Sequence, residues 1–264
     1  MIARAAVALG AVAAVSAPLW VANPYHLHVL IMAGIFTILA LSLNLLLGYT
    51  GQLSLGHAAF FGIGAYTSAL LALRLSWSFW LALPAAALAS GLAGWAIGRL
   101  ALKLRGAYFV LVTISFAGVI SLVSINWMDL TNGPLGLPGV PPPTLGPWTL
   151  RTKTAYWYLV LAAVISAAMA GVAGSLYAHY TRFVSPEVFL FSYTVTMVIM
   201  VIAGGQGTLA GPVVGALLFT VLPEALREAV AWQWQMLAYG VVLVLFVFFL
   251  PRGIVPTLAA WRRR

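Results

Sequence analysis

The feature that most constrains this chain is a series of long apolar runs that recurs along its whole length. Charged residues make up only 6% of the 264 residues, and hydrophobic residues make up 63%. Each run is close to the ~20 residues with which a helix crosses about 30 Å of hydrocarbon. A membrane β-barrel would show short alternating segments instead. The sequence therefore predicts an all-α fold, a polytopic transmembrane helical bundle.

Nine spans are predicted, with boundaries defined to within a few residues. They cover residues 2–21, 27–47, 58–73, 79–98, 108–125, 155–180, 188–203, 212–229 and 236–250. The first span also fits a cleavable signal peptide, because Arg4 precedes an apolar stretch ending in the small residues Val15, Ser16 and Ala17. We interpret it as a retained helix. Residues 1–264 are treated as a single transmembrane domain.

A loop at 126–154 separates the fifth and sixth predicted spans, and its prolines and glycines exclude a continuous helix. Basic residues concentrate in short cytoplasmic loops. The cluster Arg99, Lys103 and Arg105 therefore predicts a cytoplasmic N-terminus and an external 126–154 loop. Nine spans then leave the basic tail, 262–264, outside. Either the tail breaks the rule, a late segment is re-entrant, or a crossing is missing near 155–180.

Groups for catalysis or metal binding are scarce. The chain has no cysteine, its four histidines show no metal-ligand spacing, and it lacks a phosphate-binding loop and a serine nucleophile motif. We predict a transport protein rather than an enzyme, with no cofactor and no metal. The net charge of +9 comes from residues that flank apolar runs, so it predicts no nucleic-acid partner. Energy for transport must come from an ion gradient or from another subunit.

A polar, glycine-spaced run, "GYTGQLSLG", interrupts the apolar sequence at 48–56, and a partial echo, "GQGTLA", lies at 205–210. A broken helix in a membrane exposes backbone amides, which are tolerated only where protein or a water-filled path satisfies them. Paired interruptions mark the substrate site in many transporters. The alternative is a pair of short loops with glycine caps. The pattern predicts path-lining roles for Gln52, Ser54, Gln206 and Thr208.

Two further polar residues lie beside the first interruption. Asn44, inside "LSLNLLLG", is either a path group or a hydrogen-bonding group between helices. A histidine in a membrane is a candidate proton carrier, but no acid lies near His57 in the sequence to complete a relay. A hydrogen-bonded packing role is therefore favoured over proton carriage for His57. Together with Asn44 it is also a candidate path group that would act through hydrogen bonds rather than charge.

These residues resemble the membrane permease subunits of ABC importers for branched-chain amino acids, whose relatives carry urea and short amides. The matching text includes "LNLLLGYTGQLSLGHAAFFGIGAYTSALL", "LRGAYFVLVTISFAGVISLVSINWMDLTNGPLGLPGVP" and "LPRGIVP", in collinear order over most of the chain. Within that family the chain looks most like the second of two permease types. The resemblance implies about ten transmembrane helices in a bacterial cytoplasmic membrane. It also implies three kinds of partner: a second permease subunit, two ATPase subunits and an external solute-binding protein.

One departure from the family pattern lies after "TAYWYLVLAA", where Ala163 runs directly into Val164. The family carries there the end of one helix, a basic cytoplasmic segment that docks on the ATPase, and the start of the next helix. An internal deletion at this point would also explain the orientation of the basic tail. The segment with Arg99, Lys103 and Arg105 is then the candidate contact for a cytoplasmic partner. There are two alternative functions. The chain is a gradient-driven carrier or channel, or it is a non-transporting remnant of a permease.

Overall fold

The structure, a computed structural model, describes residues 23–101, 104, 106–145, 148–149, 170–229, 241, 244, 248–250 and 253–261. The helices in these ranges are α1 (Pro24–Asn44), α2 (His57–Arg74), α3 (Phe79–Ala101), α4 (Ala107–Asn126), α5 (Met128–Thr131), α6 (Ala170–Thr181), α7 (Phe191–Gly204), α8 (Ala210–Ala229) and α9 (Ile254–Trp261). Four two-residue strands lie between them: β1 (Leu137–Pro138), β2 (Thr144–Leu145), β3 (Trp148–Thr149) and β4 (Phe183–Val184).

The predicted all-α membrane architecture is confirmed. In the part of the chain that the structure describes, three helical stretches are long and apolar enough to cross a membrane: Pro24–Tyr49, Phe79–Arg99 and Ala107–Asn126, with 26, 21 and 20 residues. The second to fifth predicted spans correspond to α1 to α4 within a few residues. The first span, the first part of the sixth and most of the ninth lie outside the described residues. Helix α9 was not predicted.

Helix α2 lies at the centre of the bundle and packs most closely on α6. A methyl group added at Gly64 would lie 2.4 Å from the carbonyl oxygen of Gly171, and one added at Gly174 would lie 2.1 Å from that of Phe61. Small residues let helices in a membrane approach this closely. Because protein surrounds α2, small and polar residues replace the leucines of a lipid-facing helix.

The segment before α7 differs from the prediction of one helix over 188–203. A 3₁₀ turn, Pro186–Phe189, precedes α7, and Leu190 between them is extended, with φ −59° and ψ 140°. Proline removes a backbone donor at the start of this turn. Helix α7 therefore has only 14 residues, about 21 Å, which is shorter than the hydrocarbon core.

Helices α7 and α8 form a tight hairpin that glycine makes possible. An added methyl at Gly204 would lie 1.9 Å from the carbonyl oxygen of Gly211, and one at Gly215 would lie 1.8 Å from that of Met200. A methyl group added at Gly253, just before α9, would lie 2.5 Å from the Cα of Gly205. The chain ahead of α9 is thereby held against the turn between α7 and α8.

Residues 126–145 contain more regular structure than the predicted loop. Strand β1 pairs antiparallel with β4, so that Leu137 lies opposite Val184 and Pro138 opposite Phe183. Helix α5 ends at Asn132, which adopts φ +60°. The Arg74 guanidinium, at the end of α2, donates to the carbonyl oxygens of Asp129 and Leu130, the latter at 3.2 Å. The segment is therefore fixed to the end of the bundle where α2 ends.

Candidate functional site: two helix interruptions and a pocket

The first interruption lies within the depth of the bundle and not beyond its end. Helix α1 widens into a single π turn, Leu45–Tyr49, and residues 50–56 are not helical. Helix α2 then begins beside the middle of α3, because the Ser90 hydroxyl donates to the carbonyl oxygen of Phe60 at 2.8 Å. In a membrane such a position requires protein or water to satisfy the backbone groups of residues 50–56.

The second interruption is the turn between α7 and α8, and it caps the start of α8. Gly205 and Gly207 have φ of +124° and +74°, which favour glycine. The Thr208 hydroxyl donates to the carbonyl oxygen of Gly205 at 2.8 Å and accepts from the N–H of Gly211 at 2.9 Å. The hydroxyl thus satisfies one of the free amides at the start of α8.

The side chain of Asn44 joins the two interruptions. Its amide donates to the carbonyl oxygen of Thr208 at 2.8 Å, and its carbonyl oxygen accepts from the N–H of Gly207 at 3.0 Å. Gly48 is in close contact with the same turn, since an added methyl would lie 2.4 Å from the Gly207 nitrogen. The two segments related by sequence are therefore neighbours in space, and Asn44, at 1% exposure, is the group between them.

A pocket of about 390 Å³ lies next to the first interruption, among α1, α2, α3, α4 and the described start of α6. Ser54 and His57 line it, and both are buried. Three glycines of α3 form another wall: Gly91, Gly94 and Gly98. The rest of the lining is Ser42, Leu45, Leu46, Phe60, Ser90, Ile97, Ala101, Phe109, Thr113, Ala170 and Gly171.

Most hydroxyls of this pocket are already engaged. Ser90 donates to Phe60, and Thr113 donates to the carbonyl oxygen of Val110 at 2.8 Å and accepts from the N–H of Leu55 at 3.2 Å. The His57 Nε2 is 3.1 Å from the Ser42 hydroxyl, while its Nδ1 is buried with no partner among the described residues. The unsatisfied Nδ1 is itself buried and does not face the open pocket.

The predicted path residues fall into two groups. Ser54 and His57 line the pocket, whereas Asn44 and Thr208 form the contact between the interruptions. Gln52 is half-buried in the first interruption and Gln206 is exposed in the second, and neither lines the pocket. The sequence analysis missed the glycine wall of α3, although "SGLAGWAIG" shows its spacing.

The candidate contact for a cytoplasmic partner is only partly described. The Arg99 guanidinium stacks on the ring of Trp95, 4.4 Å from its centroid. Such a contact is a cation–π interaction on an exposed helix face. Lys103 and Arg105 lie outside the described residues, as does the junction of Ala163 and Val164.

A polar network ties the 126–154 segment to the bundle core. The His179 Nδ1 is 2.6 Å from the carbonyl oxygen of Pro141, and its Nε2 is 2.9 Å from the Ser68 hydroxyl. The Ser68 hydroxyl is also 2.7 Å from that of Ser175. A neutral imidazole fits these partners: Nδ1–H donates to the carbonyl, and Nε2 accepts from Ser68. Among the described residues, no three metal-ligating side chains cluster.

Comparisons with known proteins identify relatives over most of the chain. A sequence profile of the family described as "Branched-chain amino acid transport system / permease component" matches residues 25–147 and 153–250. The high-affinity branched-chain amino acid transport system permease protein LivM of Salmonella typhimurium is 30% identical over 293 positions, covering 85% of this chain and 68% of the relative. LivM of Escherichia coli is 30% identical over 290 positions, covering 84% and 68%. No solved structure matches.

The alignments with these relatives are longer than the chain itself. The alignment with the Salmonella protein, at 293 positions, is longer than the whole 264-residue chain. The relative therefore carries residues within the aligned region that have no counterpart in this chain.

Proposed function

Because the chain belongs to the family of branched-chain amino acid transport system permease components, we propose that it is the permease subunit of an ATP-driven importer for branched-chain amino acids or a related small neutral solute. The family is one of transport subunits, and the chain is a membrane protein. We assign ATP hydrolysis to partner subunits, since the sequence contains no phosphate-binding loop.

The observation that carries this proposal is the Asn44 contact between the two interruptions. It gathers backbone amides, carbonyls and an uncharged side chain at one place inside a helical bundle. Transporters build substrate sites from such discontinuous helices. We propose that Asn44, Gln52, Ser54, His57, Gln206 and Thr208 serve the solute path. Because none of them is an acid or a fixed cation, a neutral or zwitterionic solute suits them better than an ion.

The partners we propose are a second permease subunit, two cytoplasmic ATPase subunits and an external solute-binding protein. The 126–154 segment, fixed by Arg74 and His179, supports the proposal of a rigid docking surface for the binding protein. We place this segment outside a bacterial cytoplasmic membrane and the N-terminus inside, following the basic cluster Arg99, Lys103 and Arg105.

Coupling to the ATPase is the step most affected by the junction at Ala163. We propose that the chain lacks at this junction a cytoplasmic segment for docking on the ATPase. The longer alignment supports only the coarser point that the Salmonella relative carries residues without a counterpart here. The basic segment at 99–105 is then the docking surface. If it cannot replace the missing segment, the chain is a non-transporting remnant.

Reconstitution tests the proposal. The chain, its second permease subunit, the ATPase subunits and the binding protein are placed in proteoliposomes containing ATP, and uptake of radiolabelled leucine is measured. We expect uptake only when every component is present, and loss of uptake with Arg99→Glu. Uptake by the lone chain driven by a proton gradient would refute the proposal and favour a gradient-driven carrier.

A matched control separates the remnant from a working permease. The control inserts, between Ala163 and Val164, residues of the Salmonella relative that have no counterpart in this chain. Uptake only after the insertion would identify the chain as a remnant. Equal uptake with and without it would show that 99–105 suffices.

A further inference from the structure

The pocket beside the first interruption has the properties of a ligand site. Its volume of about 390 Å³ is at the small end of the 300–1,000 Å³ range of ligand pockets. Its lining is mostly apolar, with five polar side chains: Ser42, Ser54, His57, Ser90 and Thr113. An apolar pocket with a few polar groups matches a small molecule with a hydrogen-bonding head and an aliphatic body.

His57 and Ser54 are the polar side chains of the pocket that lie at the start of α2 and in the first interruption. His57 is 4% exposed and lines the pocket, and its Nε2 is 3.1 Å from the Ser42 hydroxyl, which lines the pocket as well. These groups can form hydrogen bonds and carry no fixed charge.

The glycines of α3 leave open space in the pocket. A methyl group added at Gly91 would meet nothing within 4 Å, and one added at Gly94 would meet only the Phe60 ring at 3.7 Å. At Gly64 and Gly204, by contrast, the backbone of another segment lies against the glycine. Among the described residues no backbone lies against Gly91 or Gly94, so the packing of the described helices does not use this space.

We propose that this pocket holds the aliphatic side chain of a neutral amino acid during its passage, with Ser54 and His57 contacting the polar head. The inference rests on the proposed function and deepens it, since it makes Gly91 and Gly94 the residues that set the size of the transported side chain.

The first experiment uses the absence of native cysteine. Gly91→Cys and Gly118→Cys each give the chain a single thiol. Gly118 is the matched control, because it also lies inside a helix with nothing within 4 Å of an added methyl, yet it does not line the pocket. Each variant is placed in lipid nanodiscs and labelled with a small maleimide. We expect leucine to abolish most labelling at Gly91→Cys, glycine to leave it unchanged, and neither to affect Gly118→Cys.

Several outcomes would overturn the inference. The reagent fails to label the thiol of Gly91→Cys, or leucine does not slow its labelling. Equal protection of Gly91→Cys and Gly118→Cys by leucine would also contradict it. Protection by an aliphatic detergent but not by leucine would identify a lipid-chain site, which also contradicts the proposal.

The second experiment measures selectivity in the assembled transporter. Filling the pocket with Gly91→Leu is expected to lower leucine uptake about tenfold more than alanine uptake, the discrimination that a few methylene groups give in an apolar pocket. Gly118→Leu should leave the leucine-to-alanine ratio unchanged. An equal loss of both solutes in Gly91→Leu would contradict the inference.

The two proposals fail in different ways. If the unaltered complex takes up neither solute, the proposed function is wrong. Thiol protection needs neither partners nor ATP, so it tests the pocket in either case.

Discussion

The side chain of Asn44 accepts a hydrogen bond from the N–H of Gly207 at 3.0 Å, across 163 positions of sequence. The same side chain donates to the next carbonyl, that of Thr208. One amide group thereby pairs with a donor and an acceptor of two adjacent residues. The end of α1 and the turn between α7 and α8 are consequently held as one unit.

Replacing Asn44 should destabilise the chain. Asn44→Leu keeps the side-chain volume and leaves the Gly207 N–H and the Thr208 carbonyl without their partner, at a cost of about 2 kcal/mol. The measurement is unfolding of the purified chain in detergent by denaturant titration. Asn126→Leu is the control, because Asn126 is exposed and bonds only within its own helix, to Leu122. An equal loss in both variants would contradict the role of Asn44.

Two glycine substitutions should have opposite effects on stability. Gly64→Ala places a methyl group 2.4 Å from the Gly171 carbonyl oxygen, and such overpacking costs about 1–3 kcal/mol. Gly118→Ala has open space and should stabilise its helix by up to about 1 kcal/mol. Thermal unfolding of the two variants shows whether each one is less or more stable than the unaltered chain. Stabilisation by Gly64→Ala would show that α2 and α6 are farther apart than described.

His179 should control the order of the segment around Pro141. In His179→Leu the Pro141 carbonyl loses its donor, while Ser68 and Ser175 can still bond each other. Hydrogen exchange is expected to accelerate at the amides of Gly139 and Val140, which bond the carbonyl of Arg182 at 3.0 and 3.2 Å. His26→Leu, at an exposed position, is the comparison. Unchanged exchange at Gly139 and Val140 would argue against this anchor.

Arg74 should act on α5 through geometry as well as charge. Its guanidinium reaches two consecutive carbonyls, those of Asp129 and Leu130. A lysine ammonium lacks this planar fork, so we expect Arg74→Lys to fall between Arg74 and Arg74→Ala in protection of the α5 amides. Hydrogen exchange measured by mass spectrometry on peptides covering 126–135 ranks the three chains by the protection of these amides. A lysine variant no better than alanine would mean that only the planar geometry matters.

His57 should not couple transport to protons. The hydrogen-bonding neighbour of its Nε2 is the Ser42 hydroxyl and not an acid. We expect ATP-driven uptake to persist in the presence of a protonophore, both in the unaltered chain and in His57→Gln. The measurement is leucine uptake into proteoliposomes with and without the protonophore. Collapse of uptake in the unaltered chain alone would restore a proton-carrier role.

Local patterns were sufficient to predict much of the fold. The apolar runs predicted α1 to α4 to within a few residues, because a helix in a membrane must satisfy its backbone along an apolar stretch of fixed length. The Gly-Gln-x-Ser/Thr-Leu echo indicated two related interruptions. Pro186 marks the start of the 3₁₀ turn, yet the apolar run across 188–203 concealed the break at Leu190.

Contacts between distant segments could not be predicted in the same way. Nothing near Asn44 in sequence points to Gly207, and nothing near Leu137 points to Val184. The pocket requires α1, α2, α3 and α4 to be placed together before its walls exist. For Gln206 and Thr208 the sequence indicated the segment correctly, but the direction of each side chain depends on the turn that Gly205 and Gly207 adopt.

The contact between Asn44 and Gly207 also has a consequence for synthesis. Asn44 is made and inserted long before its partner exists: at about 5–20 residues per second, the intervening 163 residues take roughly 10–30 s to translate. During that time an uncapped amide sits at the end of an otherwise apolar helix. The end of α1 therefore stays unsatisfied in the membrane until the turn between α7 and α8 has been made.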